Sequence, residues 1–418
     1  MTARRLSIAY IVPGHNLLAS AGPTRNVLSL SRALGRVADV TVAFRRAIDP
    51  PAPGAVRVLE IEPGGAPGSG GGEAADDAAV RGVGLGEFFR YVGAVRRFTD
   101  RTAPSFDVVL EKSWILSGYV AARSARLGIP GILVENIPPL LHAPGGGLGA
   151  LPKRLRQIVA RSYAGRCARR ASRVIAETDE LKLALVDGWR LDASAVDVVG
   201  LGVDRDLFRP GDREEARRLL RIDPDATMLL YAGVLDRTHS LGPLLEALRA
   251  APAGRFVFHI AGDGGLRGEY EKLARAAAIP VVFHGRVPHE RMPVLIRASD
   301  LCVAPYETTV FPGGRLVYST LKVPEYMACG RPVASVPSGG IRRMIRHGET
   351  GFLLANEREA WGALLRELPP RDRLREMGEA AAREAPAPDW GETAARYLEI
   401  CEREVARARR AGAPRERS

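Results

Sequence analysis

The sequence lacks the features of membrane-spanning, secreted or disulfide-bonded proteins. None of its 418 residues lie in a stretch that approaches the roughly 18 uninterrupted apolar residues of a membrane-spanning helix. The first residues lead into a short strand rather than a secretory apolar region. Its four cysteines lie far apart without a C-x-x-C pair, which indicates neither a zinc site nor a disulfide framework. We therefore expect a cytoplasmic protein.

Lysine is also scarce, because only five of the 60 basic residues are Lys and the other 55 are Arg. A Lys at a functional position is therefore a candidate for a chemical role. The net charge of +12 is scattered, which argues against nucleic acid as a partner. One concentration lies at residues 153–173, where basic and apolar residues alternate. This pattern predicts a basic amphipathic helix, either a solvated outer face or a peripheral contact with an anionic inner membrane surface.

Short β-branched runs alternate with helical patterns along the chain, and the length suggests two domains. The predicted strands occupy residues 6–12, 40–44, 108–111, 131–134, 173–176, 196–199, 227–231, 256–260, 281–284, 301–304 and 332–335. Such alternation predicts βαβ units and parallel sheets. We therefore predict an α/β chain of two Rossmann-like, doubly wound domains facing a central cleft, with ligands beyond the carboxyl ends of the strands.

The predicted N-terminal domain covers residues 1–199, and the predicted second domain covers residues 200–385. The glycine-rich segment 64–72 predicts a flexible loop, either a cover for the acceptor side of the cleft or an idle linker. Residues 406–418 show no apolar period, which predicts a disordered tail.

Residues 319–329 combine a polar start, a helical middle and a following glycine, which predicts a short helix leading into a strand. Ser319 or Thr320 is expected to cap this helix. The amides of its first turn, at about Leu321 and Lys322, lie at the positive end of the helix dipole. The sequence therefore predicts a phosphate-binding site there.

Two side chains of this segment are candidates for catalysis. Lys322 supplies a compact positive charge suited to a diphosphate. Glu325 follows Leu321 by one helical turn, so its carboxylate can accept hydrogen bonds from two ribose hydroxyls. Together they predict recognition of a nucleoside diphosphate.

The same segment resembles the Ser-Pro-Leu-Lys-x-x-Glu-Tyr-Met-Ala-x-Gly-x-Pro-Val signature of family 4 retaining glycosyltransferases of GT-B architecture, with Thr320 where Pro is common. Further segments resemble the family in chain order. Gly22-Pro-Thr-Arg-Asn-Val resembles its first loop and helix, and residues 198–210 resemble its domain link. In the donor domain, Gly262-Asp-Gly-Gly follows the second strand and Phe283-His-Gly-Arg286-Val287 resembles the turn that faces the base, while Trp390 lies where the C-terminal helix, here about residues 386–405, crosses back to the first domain.

This resemblance implies transfer of a hexose-type sugar from a nucleotide diphosphate sugar to a hydroxyl acceptor, which can be a glycan, a lipid-linked molecule or a small molecule. It implies retention at the anomeric carbon, with the leaving phosphate helping to take the acceptor proton. Neither a metal nor a cofactor is then required. Catalysis consists mainly of electrostatic stabilisation of the leaving diphosphate.

The phosphate clamp departs from the family pattern. Directly after Gly233 the family usually carries Arg, and five residues later Lys, and both cations contact the donor diphosphate. Here those positions are Val234 and His239. We hypothesise that Arg237 reaches the phosphates in place of the missing cations. The resemblance implies that the donor site is lined by Gly22, Gly233, His239, Gly262, Arg286, Val287, Ser319, Thr320 and Leu321.

Three residues of the N-terminal domain are candidates for the acceptor side. Glu135 follows a predicted strand, where it can orient a sugar or an acceptor hydroxyl. His15 and Asn16 follow the first strand at the cleft edge and are either contacts to the donor phosphate or the acceptor, or plain loop residues.

Other functions remain open on the same fold. A nucleotide-sugar epimerase would convert the donor without an acceptor, and a phosphorylase would require free phosphate. A degenerate nucleotide-binding or membrane-surface protein is motivated by Val234, by His239 and by the basic helix.

Overall fold

The computed structural model describes residues 4–18, 22–49, 56–62, 85–136, 151–252, 254–276, 280–385 and 387–412. The predicted loop at 64–72 lies outside these residues. The chain divides into two compact units, the first comprising Met1–Gly202, Val317–Ser319 and Trp390–Ser418, and the second Val203–Leu316 and Thr320–Asp389. The first unit thus changes to the second at Gly202, three residues after the end of the predicted N-terminal domain and within residues 198–210, the segment that resembles the family's domain link.

Strands and helices alternate through most of the described chain. The strands are β1 Ser7–Val12, β2 Leu17–Leu18, β3 Asp39–Phe44, β4 Ala47–Asp49, β5 Arg57–Glu60, β6 Val108–Lys112, β7 Gly131–Glu135, β8 Arg173–Ala176, β9 Val196–Val198, β10 Thr227–Ala232, β11 Phe256–Ala261, β12 Val281–Gly285, β13 Leu301–Ala304, β14 Val333–Ser335 and β15 Gly351–Leu353. The α-helices are α1 Gly22–Gly35, α2 Leu85–Thr102, α3 Tyr119–Arg126, α4 Leu151–Ala168, α5 Asp179–Trp189, α6 Arg213–Leu220, α7 Gly242–Arg249, α8 Arg267–Ala276, α9 Met292–Ala298, α10 Lys322–Ala328, α11 Ile341–Met344, α12 Arg358–Arg366, α13 Arg371–Glu384 and α14 Trp390–Gly412.

The first unit contains a parallel sheet in the order β5-β3-β1-β6-β7-β8-β9, beside a small β2-β4 pair. Successive side chains of β1 point to opposite faces. Ile8, Tyr10 and Val12 pack with α1 and α14, whereas Ala9 and Ile11 pack with α2. Because both faces are covered by helices, the strands read as nearly continuous apolar runs in the sequence.

The second unit contains a parallel sheet in the order β12-β11-β10-β13-β14-β15. The chain proceeds from β10 outward through β11 to β12, and then returns to place β13 on the other side of β10. The strand order therefore reverses between β10 and β13, which is the point where doubly wound sheets bind ligands. The two sheets confirm the predicted α/β class with Rossmann-like, doubly wound units.

The C-terminal helix packs within the first unit through Ala394, Tyr397 and Val405. It continues to Gly412, so the prediction of disorder was wrong for residues 406–412, and residues 413–418 lie outside the described chain. Residues 406–411 are all Ala or Arg, which have high helix propensity. Arg409 Nη2 also lies 3.3 Å from Asp107 Oδ1.

The basic helix α4 ends at Ala168, so the prediction of a helix through residue 173 was wrong at its end. Arg173 instead begins β8, where its Nε atom lies 2.6 Å from Asp197 Oδ2. The chain has to leave the helix before Arg173 because β8 pairs with β7. None of the described helices is both long and apolar enough to cross a membrane.

Candidate active site

A lysine and two tyrosines meet at the strand-order reversal of the second unit. Tyr231 belongs to β10, Tyr306 follows β13, and Lys322 begins α10. Lys322 Nζ donates to the Tyr231 hydroxyl at 3.2 Å and lies 4.4 Å and 5.3 Å from the ring centroids of Tyr231 and Tyr306. The negative faces of aromatic rings attract a cation. The structure thus places the predicted catalytic lysine in an aromatic cage at a position suited to ligand binding.

Removal of Lys322 from water makes its positive charge costly, even though the two rings attract it. Burial lowers the pKa of Lys322 to about 7, although the carboxylates of Asp236 and Glu325 oppose this change. Desolvation disfavours the charged form of an amine, and an approaching anion favours it. An anionic ligand such as a diphosphate would therefore stabilise the ammonium form.

The turn after β10 adds an acid and a histidine that contact each other. Asp236 Oδ1 accepts the backbone N–H of Thr238 at 2.9 Å and lies 2.9 Å from His239 Nδ1. The His239 ring is 5.1 Å from the Tyr306 ring. Burial and the nearby Lys322 lower the pKa of His239 to about 4, against the effect of Asp236. His239 is therefore neutral near pH 7 and does not supply the positive charge that the resemblance assigns to this position.

Two predicted glycines allow a close approach in this region. A Cβ atom at Gly233 would lie 2.7 Å from Lys322 Nζ, and one at Gly262 would lie 1.8 Å from the carbonyl oxygen of Gly233. Both separations are shorter than ordinary van der Waals contact, and the neighbour of Gly262 is rigid backbone. Glycine is thus required at residue 262 to keep the loops after β10 and β11 together, whereas a side chain at residue 233 would displace the Lys322 amino group.

The helix cap differs from the sequence prediction. Leu321 has helical backbone angles and occupies the N-cap position of α10 without a side-chain cap. The Thr320 hydroxyl accepts a hydrogen bond from the Tyr306 hydroxyl at 2.6 Å. The prediction that Ser319 or Thr320 caps the helix was therefore wrong, because the helix begins at Lys322 and its N-cap residue, Leu321, has no side-chain oxygen to accept the N–H groups of the first turn.

Glu325 lies one helical turn after the start of the segment, as the spacing predicts. Its backbone N–H donates to the Leu321 carbonyl at 3.0 Å. Its carboxylate is 13% exposed, and its Oε1 atom lies 3.0 Å from His289 Nε2. The two predicted catalytic residues of this segment, Lys322 and Glu325, thus lie on the same short helix.

The other predicted donor contacts lie on loops of the same unit. Arg237 is exposed and makes no hydrogen bond or ion pair with any residue that the structure describes. Arg286 is exposed and Val287 half-buried, directly after β12. Val234 is 54% exposed. Their contribution to donor binding stays a prediction.

The first unit buries an acid at the carboxyl end of each of two neighbouring strands. Burial raises the pKa of Glu135, at the end of β7, to about 7, although the Ser117 and Ser113 hydroxyls oppose the change. Burial also raises the pKa of Glu111, in β6, to about 8. Glu111 Oε1 accepts the indole N–H of Trp114 at 2.8 Å. Glu111 was not predicted as a site residue; its only signal in the sequence is an acidic residue at the end of an apolar strand.

The remaining candidates of the first unit follow β1. His15 is buried, and its carbonyl accepts the backbone N–H of Arg45 at 3.0 Å. The carbonyl of Asn16 accepts the hydroxyl of Thr24 at 3.3 Å. Gly22 begins α1. These contacts order the loop, and an acceptor role for His15 and Asn16 stays a prediction.

Lys112 is a second buried lysine, and it was not among the residues predicted from the sequence. Its Nζ atom lies 3.1 Å from Glu177 Oε1, and both side chains are almost fully buried. A Lys at the end of an apolar strand, in a chain with few lysines, is the signal that identifies it. Within the described ranges, no group of three His, Cys, Asp or Glu side chains is placed to hold a metal ion.

Two doubly wound units, one of which holds a lysine between two tyrosines at its strand-order reversal, are typical of α/β proteins that bind nucleotide-type ligands. Comparison with known proteins specifies the class. The model of the family described as glycosyl transferases group 1 matches residues 226–368.

The chain is 30% identical to the D-inositol 3-phosphate glycosyltransferase of Thermomonospora curvata over 341 residues, which cover 75% of this chain and 76% of that protein. It is 29% identical to the protein of the same name from Geodermatophilus obscurus, over 92% of this chain and 86% of the relative.

Two solved structures share the fold. The sucrose-phosphate synthase of Thermosynechococcus elongatus has a TM-score of 0.74 at 22% identity, and the match covers 96% of this chain and all of that one. HepE of Anabaena, in complex with UDP and glucose, has a TM-score of 0.69 at 17% identity, over 95% of this chain and all of that one. The chain belongs to the glycosyl transferases group 1 family, the family 4 glycosyltransferases of GT-B fold, and this confirms the resemblance found in the sequence.

Proposed function

We propose that this glycosyltransferase transfers a hexose-type sugar from a nucleoside diphosphate sugar to a hydroxyl acceptor, with retention at the anomeric carbon and without a metal or cofactor. The observation that carries the proposal is the Lys322 amino group, held between two tyrosines at the strand-order reversal. A partly desolvated amine in this position binds best to a group of concentrated negative charge. The leaving diphosphate is such a group.

The chemistry divides among a few side chains. Lys322 stabilises the charge that develops on the diphosphate as the sugar leaves. Glu325 binds the ribose hydroxyls of the donor and so sets the position of the donor in the site. The glycines at 233 and 262 keep the loops close enough to the phosphates for backbone contact. The Glu135 carboxyl, with its pKa near 7, orients a hydroxyl on the acceptor side.

A donor screen tests the proposal. UDP-, ADP- and GDP-linked hexoses are supplied with D-inositol 3-phosphate, the molecule for which the relatives are named, and with other hydroxyl acceptors. Release of the free nucleoside diphosphate and formation of glycosylated product are measured, and NMR of the product reports its anomeric configuration. Product of inverted configuration would refute retention, and donor conversion without any acceptor would favour an epimerase.

Site variants tie the activity to the lysine helix. Lys322→Ala and Glu325→Ala should each reduce transfer at least about a hundredfold, because each removes a charged contact to the donor. The matched controls Lys272→Ala and Glu290→Ala change exposed residues of the same unit and should keep wild-type activity. Full activity of both site variants would show that the donor binds elsewhere.

A peripheral membrane contact through α4 is part of the proposal, since this helix exposes apolar side chains among arginines. Ile158 and Val159 are 59% and 60% exposed, and Arg161 and Arg166 are exposed on the same helix. Apolar insertion combined with attraction to anionic lipid gives such helices affinity for a membrane surface. The cytoplasmic location expected from the sequence would place this helix at the inner surface.

Cosedimentation with vesicles tests the membrane contact. Vesicles of phosphatidylglycerol and phosphatidylcholine should bind the wild-type protein more strongly than vesicles of phosphatidylcholine alone. Ile158→Ser combined with Val159→Ser should reduce binding, whereas Leu219→Ser, a change of a residue that is 68% exposed in the other unit, should not. Equal sedimentation of all three proteins would contradict the proposed surface.

A further inference from the structure

We propose that His289 is a positioning residue that holds the Glu325 carboxylate ready for the ribose of the donor. This inference rests on the proposed function, which assigns ribose binding to Glu325. Among the residues that the structure describes, His289 is the one hydrogen-bond partner of this carboxylate, with 3.0 Å between Nε2 and Oε1. His289 was not among the residues predicted from the sequence.

The contact fixes both the direction and the chemistry of the carboxylate. An ionised carboxylate only accepts hydrogen bonds, so His289 Nε2 must carry the proton. The bond occupies one lone pair of Oε1 and sets the plane of the carboxylate. Each carboxylate oxygen has two lone pairs, so Glu325 keeps acceptor capacity for two hydroxyl groups while His289 is bound. The two side chains are 16% and 13% exposed, so the pair is partly accessible to a ligand.

The imidazole is itself held in place. The ring of Phe208 packs against it with 4.8 Å between centroids, and Phe208 is only 1% exposed. His289 begins the short 3₁₀ turn His289–Arg291, which leads directly into α9. The backbone N–H of Arg291 donates to the Pro288 carbonyl at 2.9 Å. His289 is therefore a fixed donor on packed structure, as a supporting residue of a binding site has to be.

Positioning should affect the ribose contact specifically. A glutamate side chain on a helix has several rotamers, and binding has to select one of them. A hydrogen bond from His289 makes this selection before the donor arrives. Removal of the imidazole should therefore weaken recognition of the ribose hydroxyls and leave recognition of the phosphates unchanged, since the Lys322 amino group contacts Tyr231 and Tyr306, whereas His289 contacts Glu325.

The test compares matched nucleotides by titration calorimetry. The probes are UDP, ADP and GDP, the 2′-deoxy form of each, and inorganic pyrophosphate. For whichever base binds, wild-type protein should prefer the ribonucleotide over its deoxy form by roughly tenfold or more, the effect of one hydrogen bond to a charged group. In His289→Ala this preference should fall below about threefold, with an unchanged Kd for pyrophosphate.

Two variants separate positioning from a loss of folding. His289→Gln can donate an amide N–H to the same oxygen and should restore most of the ribose preference. His347→Ala removes an exposed histidine of the same unit and should behave as the wild type. Thermal melting of all variants reports whether the unit is intact.

The outcomes distinguish this inference from the proposed function. If the wild type prefers ribonucleotides and His289→Ala keeps the full preference, the role of His289 is refuted and the donor site stands. An equal loss for ribonucleotide, deoxynucleotide and pyrophosphate would show a purely structural residue and also refute the inference. If the wild type binds none of these probes, the proposed donor site fails, and the role of His289 fails with it.

Discussion

The affinity for the sugar donor should fall as the pH rises from 6 to 8, because the Lys322 amino group loses its proton in this interval. Burial lowers the pKa of Lys322 to about 7 in the unliganded protein. A bound diphosphate stabilises the ammonium form and raises this pKa again. Binding is therefore linked to proton uptake, and a rise in pH makes the uptake harder.

The size of the change in donor affinity follows from the pKa of Lys322. If the ammonium form alone binds, the apparent Kd increases with the fraction of neutral amine, which gives about a tenfold weaker affinity at pH 8 than at pH 6. His239, with a pKa of about 4, stays neutral over the whole range. The ligand should be an intact nucleoside diphosphate sugar, since a free terminal phosphate titrates near pH 6 and would mask the change.

Calorimetry in two buffers of different ionisation enthalpy measures both the affinity and the protons taken up. We expect uptake of roughly half a proton at pH 7. Lys322→Arg is the control, because a guanidinium remains charged and its binding should not depend on pH in this range. A constant affinity of the wild type from pH 6 to 8, or the same slope in Lys322→Arg, would refute the reasoning.

Three further predictions concern the same unit. Gly233→Ala should lower donor affinity about tenfold or more in calorimetry, since its Cβ would lie 2.7 Å from Lys322 Nζ; wild-type affinity would contradict this. Arg237→Ala should weaken donor binding about three- to tenfold if this exposed residue reaches the phosphates, and an unchanged Kd would discard that role. Finally, the ring nitrogens of His259 and His284 lie 2.9 Å apart, and burial, with His284, lowers the pKa of His259 to about 4. His259 gains a proton below about pH 6.5 in the unfolded chain but only near pH 4 in the folded chain. The free energy of unfolding should therefore fall by about 1 kcal/mol for each unit by which the pH is lowered between these values. Thermal melting at pH 7 and 5 checks this, and His259→Phe should show a smaller loss than the wild type.

The sequence was sufficient to predict most of the sheets. Long strands such as β1 and β10 are apolar on both faces, which leaves a strong local signal. The short edge strands β5 and β15 were missed. Strand β5 begins with Arg57 and ends with Glu60, and it is defined by its pairing with β3 rather than by an apolar run. Such a strand forms only because its neighbour is present, so its local sequence carries little information.

The candidate site was predicted in part for the same reason. Lys322 and Glu325 belong to one helix, so their spacing could be read directly. The cage around the lysine draws Tyr231 from β10 and Tyr306 from the loop after β13, which are 75 positions apart in the numbering and meet only after the sheet has formed. The helix cap was mispredicted for a local reason, because the helix begins at Lys322 and Leu321 occupies the N-cap, while the Thr320 hydroxyl accepts a hydrogen bond from Tyr306.

The absence of the family's two phosphate-binding cations, at Val234 and His239, has a physical explanation in the burial of Lys322 between Tyr231 and Tyr306. A second cation beside Lys322 would lower its pKa further, because like charges in a desolvated site disfavour each other. Val234 carries no charge, and His239 is kept neutral by its own burial and by the lysine. Asp236 meanwhile favours the ammonium form. The absence of the two cations therefore allows Lys322 to take up a proton near neutral pH. The bound diphosphate then favours the ammonium form, which supplies the positive charge of the site.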